Sequence, residues 1–386
     1  MEEMSELFYQ DAYLREFEAE VIDCFPDKKG YGVILSDTLF YPEGGGQPAD
    51  KGTLNGLAVI DVKRKNGAVV HYLKDEMAIG TKVIGSIDWN VRFDHMVQHS
   101  GEHLFTGVIH QMFGYDNTGF HMGDECVVLD YSGPLSKEDL AIVEQKTFEA
   151  IVANIPFEIL YPSKDELAKM PYRFKKEIEG KLRIVKAGDV DICACCGTHV
   201  HLSGEIGYLK VIGLSNKKDG ARVSVLFGQR AIDYMKEIYR QNQEISTLLS
   251  STALKTSEGV KKLYDDYHEK RAELSLLQRR MLDEMIEAYP LSNDVIIREI
   301  NGDNNLLRYF CEQMVLLNKA EIAVGLLANG KGYNYAIISH QRKLKPYAKP
   351  LNQALNGRGG GSDEIIQGSF ECDLKTITQT IVNILK

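Results

Sequence analysis

Phe93-Asp-His-Met-Val-Gln-His-Ser-Gly-Glu-His-Leu-Phe-Thr-Gly-Val-Ile-His-Gln-Met112 is the stretch at which the chain changes its period. Met96, Leu104, Phe105, Val108 and Ile109 recur at helical spacing and give a predicted helix one apolar side. The residues before it read differently. Between about Ala19 and Asp88, short apolar runs alternate with Gly, Asp, Asn and Pro: Tyr31-Gly-Val-Ile-Leu35, Ala58-Val-Ile-Asp-Val62, Ala68-Val-Val-His-Tyr72 and Lys82-Val-Ile-Gly-Ser-Ile87. Each is too short for an ordinary helix and reads as a strand. Phe40-Tyr-Pro-Glu-Gly-Gly-Gly-Gln-Pro48 falls between two of them and is expected to be a loop.

Beyond the helix the signals mix. Strands are expected at Cys126–Asp130, near Leu182–Lys186, near Gly207–Ile212 and at Arg222–Phe227, with a helix over Ser136–Ala153. From Ile232 to Tyr289 the chain is proline-free and helical, with breaks at Ser250-Ser251-Thr252 and Thr256-Ser257-Glu258-Gly259. Val260, Leu263, Tyr267, Leu274, Leu277 and Met281 follow alternating three- and four-residue steps interrupted by Lys270, the spacing of a hairpin or coiled coil. The last stretch alternates strand-like and helical runs (Val295–Ile300, Leu306–Leu317, Glu321–Ala328, Tyr333–Ser339) and carries a glycine-rich loop, Asn356–Ser362, before a final helix. The fold class expected is α+β: a β-rich, barrel-like domain over 1–90, a metal-binding α+β domain over 91–231, a helical spacer over 232–290 and a small α/β domain over 291–386.

With 386 residues, 44% hydrophobic and 26% charged, the composition is that of a soluble globular protein with room for several cores. No apolar run approaches 18 residues, which argues against a membrane span, and the acidic N-terminus has no apolar segment of the signal-peptide kind. The net charge of −10 would count against nucleic acid, but it averages over unlike regions. Glu2, Glu3, Glu6, Asp11, Glu16, Glu18 and Glu20 crowd the N-terminus. Lys331–Ser362, by contrast, holds Lys331, Arg342, Lys343, Lys345, Lys349 and Arg358 with no acid, interleaved with Tyr333, Tyr335, His340 and Tyr347. That pattern suits phosphate contacts and base stacking. A second basic run is Tyr172-Arg173-Phe174-Lys175-Lys176 with Lys181 and Arg183, and a third is Lys217-Lys218 with Arg222.

Seven cysteines are an odd count, and three crowd into Cys193, Cys195 and Cys196, more like a metal site in a reducing compartment than a disulfide framework. His99-Ser-Gly-Glu-His103 sets two imidazoles on one helix face, and Cys195 and His199 are likewise four apart. Together they make a three-nitrogen, one-thiolate set that favours zinc over magnesium or calcium. Cys193, Cys196, His201 and His95 remain as outlying candidates. His99–His103 also fits the HxxEH pattern of a metallopeptidase, in which Glu102 is the general base; that reading expects a downstream carboxylate as third ligand and leaves the cysteines without a task. Glu102 can equally serve as partner to an imidazole N–H. Gly44, Gly45 and Gly46 allow close backbone approach to a ligand, and Gln47 offers an amide donor and acceptor.

Phe40–Pro48, His99-x-x-x-His103 and Cys195-Cys-Gly-Thr-His199-Val, in that order, resemble the editing domain of alanyl-tRNA synthetase and its free-standing AlaX relatives. Thr118-Gly-Phe-His-Met122 is similar to a further segment of that family, and Gly357-Arg-Gly-Gly-Gly361 with the helices before it is similar to the synthetase's C-terminal part. The resemblance covers nearly the whole chain and points to the long AlaX type, without a synthetase core. Cys196 departs from it, standing where the synthetase motif has glycine, and Cys193 is an extra thiol. The resemblance implies a cytoplasmic, zinc-dependent deacylase of mischarged tRNA(Ala) carrying Ser or Gly. His99, His103, Cys195 and His199 would hold zinc, and Gln47, Thr118 and Glu102 would be catalytic. Gly44–Gly46, His121 and Arg173 would line the substrate, and Lys343, Lys345 and Arg358 would grip tRNA. A homodimer through the helical spacer is a further expectation. A metallopeptidase and a non-catalytic zinc-containing RNA-binding module are the other two readings.

Overall fold

Phe17, Ala19 and Val21 alternate with Glu16, Glu18 and Glu20 along the longest strand, Glu16–Asp27, of the computed structural model, which describes residues 6–173, 182–218 and 220–385. This alternation turns the apolar set inward and the acids to water. The strand is the middle of a seven-stranded antiparallel sheet. Its order is Leu57–Val59, Gly52–Leu54, Lys82–Ile87, Glu16–Asp27, Gly30–Leu35, Ala68–Leu73, Asp61–Lys65. Ala58–Val62 is therefore not one strand. It divides at Ile60, where the chain steps from one edge of the sheet to the other and the Ile60 N–H donates to the Tyr72 carbonyl. That step nearly closes the sheet into a barrel, filled by Phe8, Val21, Val33, Leu39, Phe40, Leu54 and Val62.

Asp88 caps the next element, accepting from the N–H groups of Asn90 and Val91. The helix Trp89–Phe113 ends at Gly114, whose positive φ of 70° suits a residue without Cβ. It is buried on nearly every side from Arg92 to Ile109, which its near-even hydropathy conceals. Two glycines permit this closeness: a Cβ on Gly101 would lie 2.3 Å from the Phe227 ring, and one on Gly107 would lie 2.4 Å from the Val190 carbonyl. Against the helix lie a four-stranded sheet (Leu209–Lys217, Gly220–Phe227, Val127–Tyr131, Asn117–Met122) and a three-stranded one (Phe157–Leu160, Ile184–Ala187, Asp191–Ala194). The helix Lys137–Val152, opened by a Ser136–Asp139 capping box, completes the core. The guanidinium of Arg92, fully buried, pairs with Asp50 and donates to the Ala12 and Leu39 carbonyls, which ties the barrel to this helix. Breaking one partner of a buried pair costs about 3–5 kcal/mol.

The chain forms two compact units, Met1–Gln241 and Asn242–Lys386. In the second, a five-stranded sheet runs Val295–Glu299, Ile322–Ala328, Tyr333–Ile338, Ile365–Phe370, Arg358–Gly361, with only the first pair parallel. Alternate residues sort to its two faces. Val324 and Ile337 meet helices Lys345–Ala354 and Leu374–Leu385, while Ala323 and Ala336 meet Asn304–Leu316. The expected glycine loop at 356–362 is instead an edge strand, Arg358–Gly361. Its Gly359 lies opposite Gly368, where a Cβ would come 2.4 Å from the Gln367 carbonyl, so the glycines serve close backbone pairing.

Helices occupy Gly228–Leu248 and Thr256–Ala288. Thr256–Gly259 opens the second helix rather than breaking it. Thr256–Ala288 buries only Leu282 and Ile286. No described helix is long and apolar enough to cross a membrane.

Candidate metal centre

His99 and His103 project from adjacent turns of the buried helix, and strand Asp191–Ala194 delivers Cys195 and His199 to the same place on the loop that follows it. The four ligand atoms all lie within 4.8 Å of one another. The Cys195 thiol stands 3.4 Å from Nε2 of His99 and 3.4 Å from Nε2 of His199. A tetrahedral zinc, with bonds of about 2.3 Å to sulfur and 2.0 Å to nitrogen, would hold the two about 3.5 Å apart. The donor set and its spacing therefore fit a zinc ion.

The outer side of each ring is held as well. Nδ1 of His99 faces Gln47 Oε1 at 2.8 Å, Nδ1 of His103 faces Asp191 Oδ2 at 2.7 Å, and Nδ1 of His199 faces Ser100 Oγ at 3.2 Å. Three acceptors on three Nδ1 atoms leave Nε2 as the inward lone pair, the arrangement that presents imidazole to a metal. Burial opposes charge on Cys195, yet the neighbouring His99, His199 and His103 rings outweigh it and the thiol sits well below its ordinary value. Burial likewise works against a proton on His103, but Cys195 and Asp191 hold it there and push the ring up to about 10. Burial takes His199 down to about 3. A cation entering this set would meet a thiolate and displace the proton of His103.

The HxxEH reading expects a carboxylate as third ligand, whereas His99 and His103 meet Cys195 and His199. Glu102 is buried beside them: Oε1 accepts from Thr106 Oγ1 at 2.9 Å and Asn117 Nδ2 at 3.2 Å, and Oε2 lies 4.0 Å from Nε2 of His103. Gln47 is fully buried, accepting from the Thr198 N–H and donating to the Thr198 hydroxyl at 2.9 Å, so it reaches the centre through His99. Gly44 and Gln47 exchange backbone hydrogen bonds around Gly45 and Gly46, whose φ of 60° and 86° make a tight hairpin turn. The turn is exposed at Gly45 and Gly46, and a Cβ on Gly46 would come 2.5 Å from the Phe120 ring, which itself lies 5.0 Å from His99. Thr118 and His121 stand exposed on the same strand as Phe120.

The outlying candidates fall outside the set of four, but one of them shares His103 with it. Cys193 is buried with its thiol pushed up by burial, and forms with His103 and Asp191 a second cluster of possible ligands. Cys196 lies near Tyr9, His201 stacks on Tyr13, and His95 is buried against Asp50 and Asp94. Arg173 pairs with Asp191 at 2.7 Å, behind His103. In the basic runs, Phe174, Lys175, Lys176 and Lys181 lie outside the described residues. Arg183 is buried and donates to the Cys195 carbonyl, and Lys217 and Arg222 pair with Asp130. Lys343, Lys345 and Arg358 belong to the second unit and are exposed.

Asp191 lies in no motif, and Ser100 and Thr198 stand inside the two quoted motifs without any sign of their role; the 88-residue separation of Asp191 from His103 is bridged only by the fold. Asp191→Asn should weaken metal affinity about 10- to 100-fold, measured by competition with a chelator of known affinity. Unchanged affinity would show that Asp191 does not orient His103.

Two family models match the chain. Residues 7–91 match the model for tRNA synthetases class II (A), and residues 182–223 match that for the threonyl and alanyl tRNA synthetase second additional domain. The chain is 33% identical over 278 residues to the alanyl-tRNA editing protein Aarsd1 of Rattus norvegicus, spanning 67% of this chain and 68% of that protein. It is 29% identical over 385 residues to the alanyl-tRNA editing protein AlaX-L of Pyrococcus horikoshii, spanning 95% and 94%. With the alanine–tRNA ligase of Archaeoglobus fulgidus it shares 30% identity over 391 residues, 95% of this chain but 42% of that enzyme.

Proposed function

The chain belongs to the alanyl-tRNA editing protein family, and from that premise we propose that it is a trans-editing hydrolase, removing serine and also glycine from mischarged tRNA(Ala). The observation that carries this reading is the set of His99, His103, Cys195 and His199, each imidazole held from behind, with the Glu102 carboxylate at its edge. Bound there, zinc would supply a Lewis acid for the ester carbonyl or an anchor for the substrate.

The bond to be broken joins an amino acid to the ribose of the terminal adenosine. Esters are already activated, so positioning, a base and charge stabilisation suffice. Glu102 takes a proton from water as its oxygen bonds to the carbonyl carbon, and returns it to the ribose oxygen as that bond breaks. Thr106 and Asn117 hold the carboxylate in place by donating to Oε1. Gln47 positions His99, and Asp191, itself paired with Arg173, positions His103. The exposed turn Gly44–Gly46, with Phe120, Thr118 and His121, forms the rim against which the terminal nucleotide lies.

Residues 1–90 and 91–231 carry this chemistry, 232–290 act as spacer, and 291–386 bind tRNA. Lys343, Lys345 and Arg358 supply phosphate contacts; the first and last keep 82% and 89% of their side chains in water despite distant acids at 4.0 and 3.6 Å. The test is deacylation of Ser-, Gly- and Ala-tRNA(Ala) side by side, with a peptide panel. Loss of the serine and glycine esters with the alanine ester and peptides spared is the expected result. Stability of Ser-tRNA(Ala), or cleavage of peptides, would overturn the reading.

A further inference from the structure

Arg183 is an enclosed cation without a counter-ion. It is 5% exposed, Nη1 donates to the Cys195 carbonyl at 2.8 Å, and Nε has no acceptor. No carboxylate pairs with it among the described residues. Arg92, Arg173 and Arg230, also set into this unit, meet Asp50, Asp191 and Asp94. A buried charge left unpaired is costly, and arginines are rarely enclosed without a partner. The exception points to an anion that arrives with a ligand.

The guanidinium lies 5.3 Å from the centre of the Tyr9 ring. Burial raises the Tyr9 hydroxyl and the Cys196 thiol, and Arg183 and Arg64 both pull against it, so the two cations stand about one spot. Tyr9 and Cys196 are only half-buried. Arg64 belongs to the barrel strand Asp61–Lys65, keeps 39% of its side chain exposed and is offset by Glu6 at 2.7 Å. Tyr41, buried beside Tyr9 and Cys196, donates to the Gly44 carbonyl at 3.2 Å, which ties the spot to the glycine turn. Two guanidinia against one carboxylate leave a net positive charge, and the planar fork of arginine matches phosphate oxygens. We propose that Arg183, with Arg64 at the rim, is the subsite for the phosphodiester that joins the terminal adenosine of the substrate to the nucleotide before it. This assignment rests on the editing reading, in which the ester of that adenosine lies at the metal centre. Arg183 holds the backbone of Cys195, and the phosphate of the same nucleotide is the first anion such a substrate offers there.

The test uses the full chain and two unreactive probes, the dinucleotide CpA and the nucleoside adenosine, which differ by a phosphodiester. Equilibrium binding to the wild type should favour CpA by about 10- to 100-fold, the worth of a hydrogen bond to a charged group. Arg183→Met should remove that preference and leave adenosine binding unchanged, and Arg183→Lys should keep part of it. Arg64→Ala, on the exposed rim, should weaken CpA alone, and it carries the test if Arg183→Met does not fold. Equal binding of CpA and adenosine by the wild type would overturn the proposal. So would a parallel loss of both probes in Arg183→Met, the mark of a purely structural arginine, or undiminished CpA binding in Arg64→Ala. Failure of the editing reading looks different: a wild type that prefers CpA yet leaves Ser-tRNA(Ala) intact.

Discussion

Cys195→Ala is expected to empty the metal centre and to stop deacylation. The thiolate is the single anionic donor of the set, and it is the group whose charge the three imidazoles stabilise against burial. Alanine leaves three imidazoles and no anionic donor among the four ligand positions to offset the desolvation of a divalent cation. Metal content per chain, measured after gel filtration without added zinc, should fall from about one to near zero. The rate should fall by at least the ~10²–10³ that loss of one preorganised electrostatic group costs in other enzymes. Retention of a full complement of zinc would remove Cys195 from the ligand set.

Glu102→Gln should separate chemistry from metal binding. Glutamine keeps the shape and can still accept from Thr106 and Asn117, but it cannot take a proton from water. The expected result is full metal content with kcat lowered by about 10²–10⁴, the usual contribution of a general base, and KM little changed. A variant that loses metal instead would show that Glu102 serves His103, whose Nε2 it approaches to 4.0 Å. Unaltered kcat would assign the base elsewhere.

Much of the centre was legible because metal chemistry leaves local marks: two histidines one helical turn apart, and a cysteine and histidine at the same spacing in a cysteine-rich loop. What was not legible depends on tertiary approach. Gln47 reads as a substrate amide from its neighbours, and only the fold turns it inward to His99 and Thr198. Asp191 has no motif at all, and Ser100 sits within His99–His103 without a signal of its own. In the fold, the strand Glu16–Asp27 is hidden by its own acidic outer face, since Glu16, Glu18, Glu20 and Asp23 swamp the alternation that places Phe17 and Val21 inside. The glycines at 359–361 look like loop because composition cannot tell flexibility from the need to let two backbones meet. The heptad spacing of 260–281 was plain, but a periodic stripe states that it will be covered and not by what.

The Gln47 amide has a consequence for how the protein comes apart. It sits on a barrel loop, yet it holds a ligand on the central helix, 52 residues away, and a threonine on the cysteine loop, 151 residues away. Three segments that are remote along the chain therefore reach their final geometry together or not at all. Long loops must close before such contacts return any free energy, which makes the last step of assembly slow and strongly cooperative. The barrel and the core that carries the four candidate ligands are then expected to melt as one body. A metal bound at the candidate centre would shift the folding equilibrium of strands that never touch it.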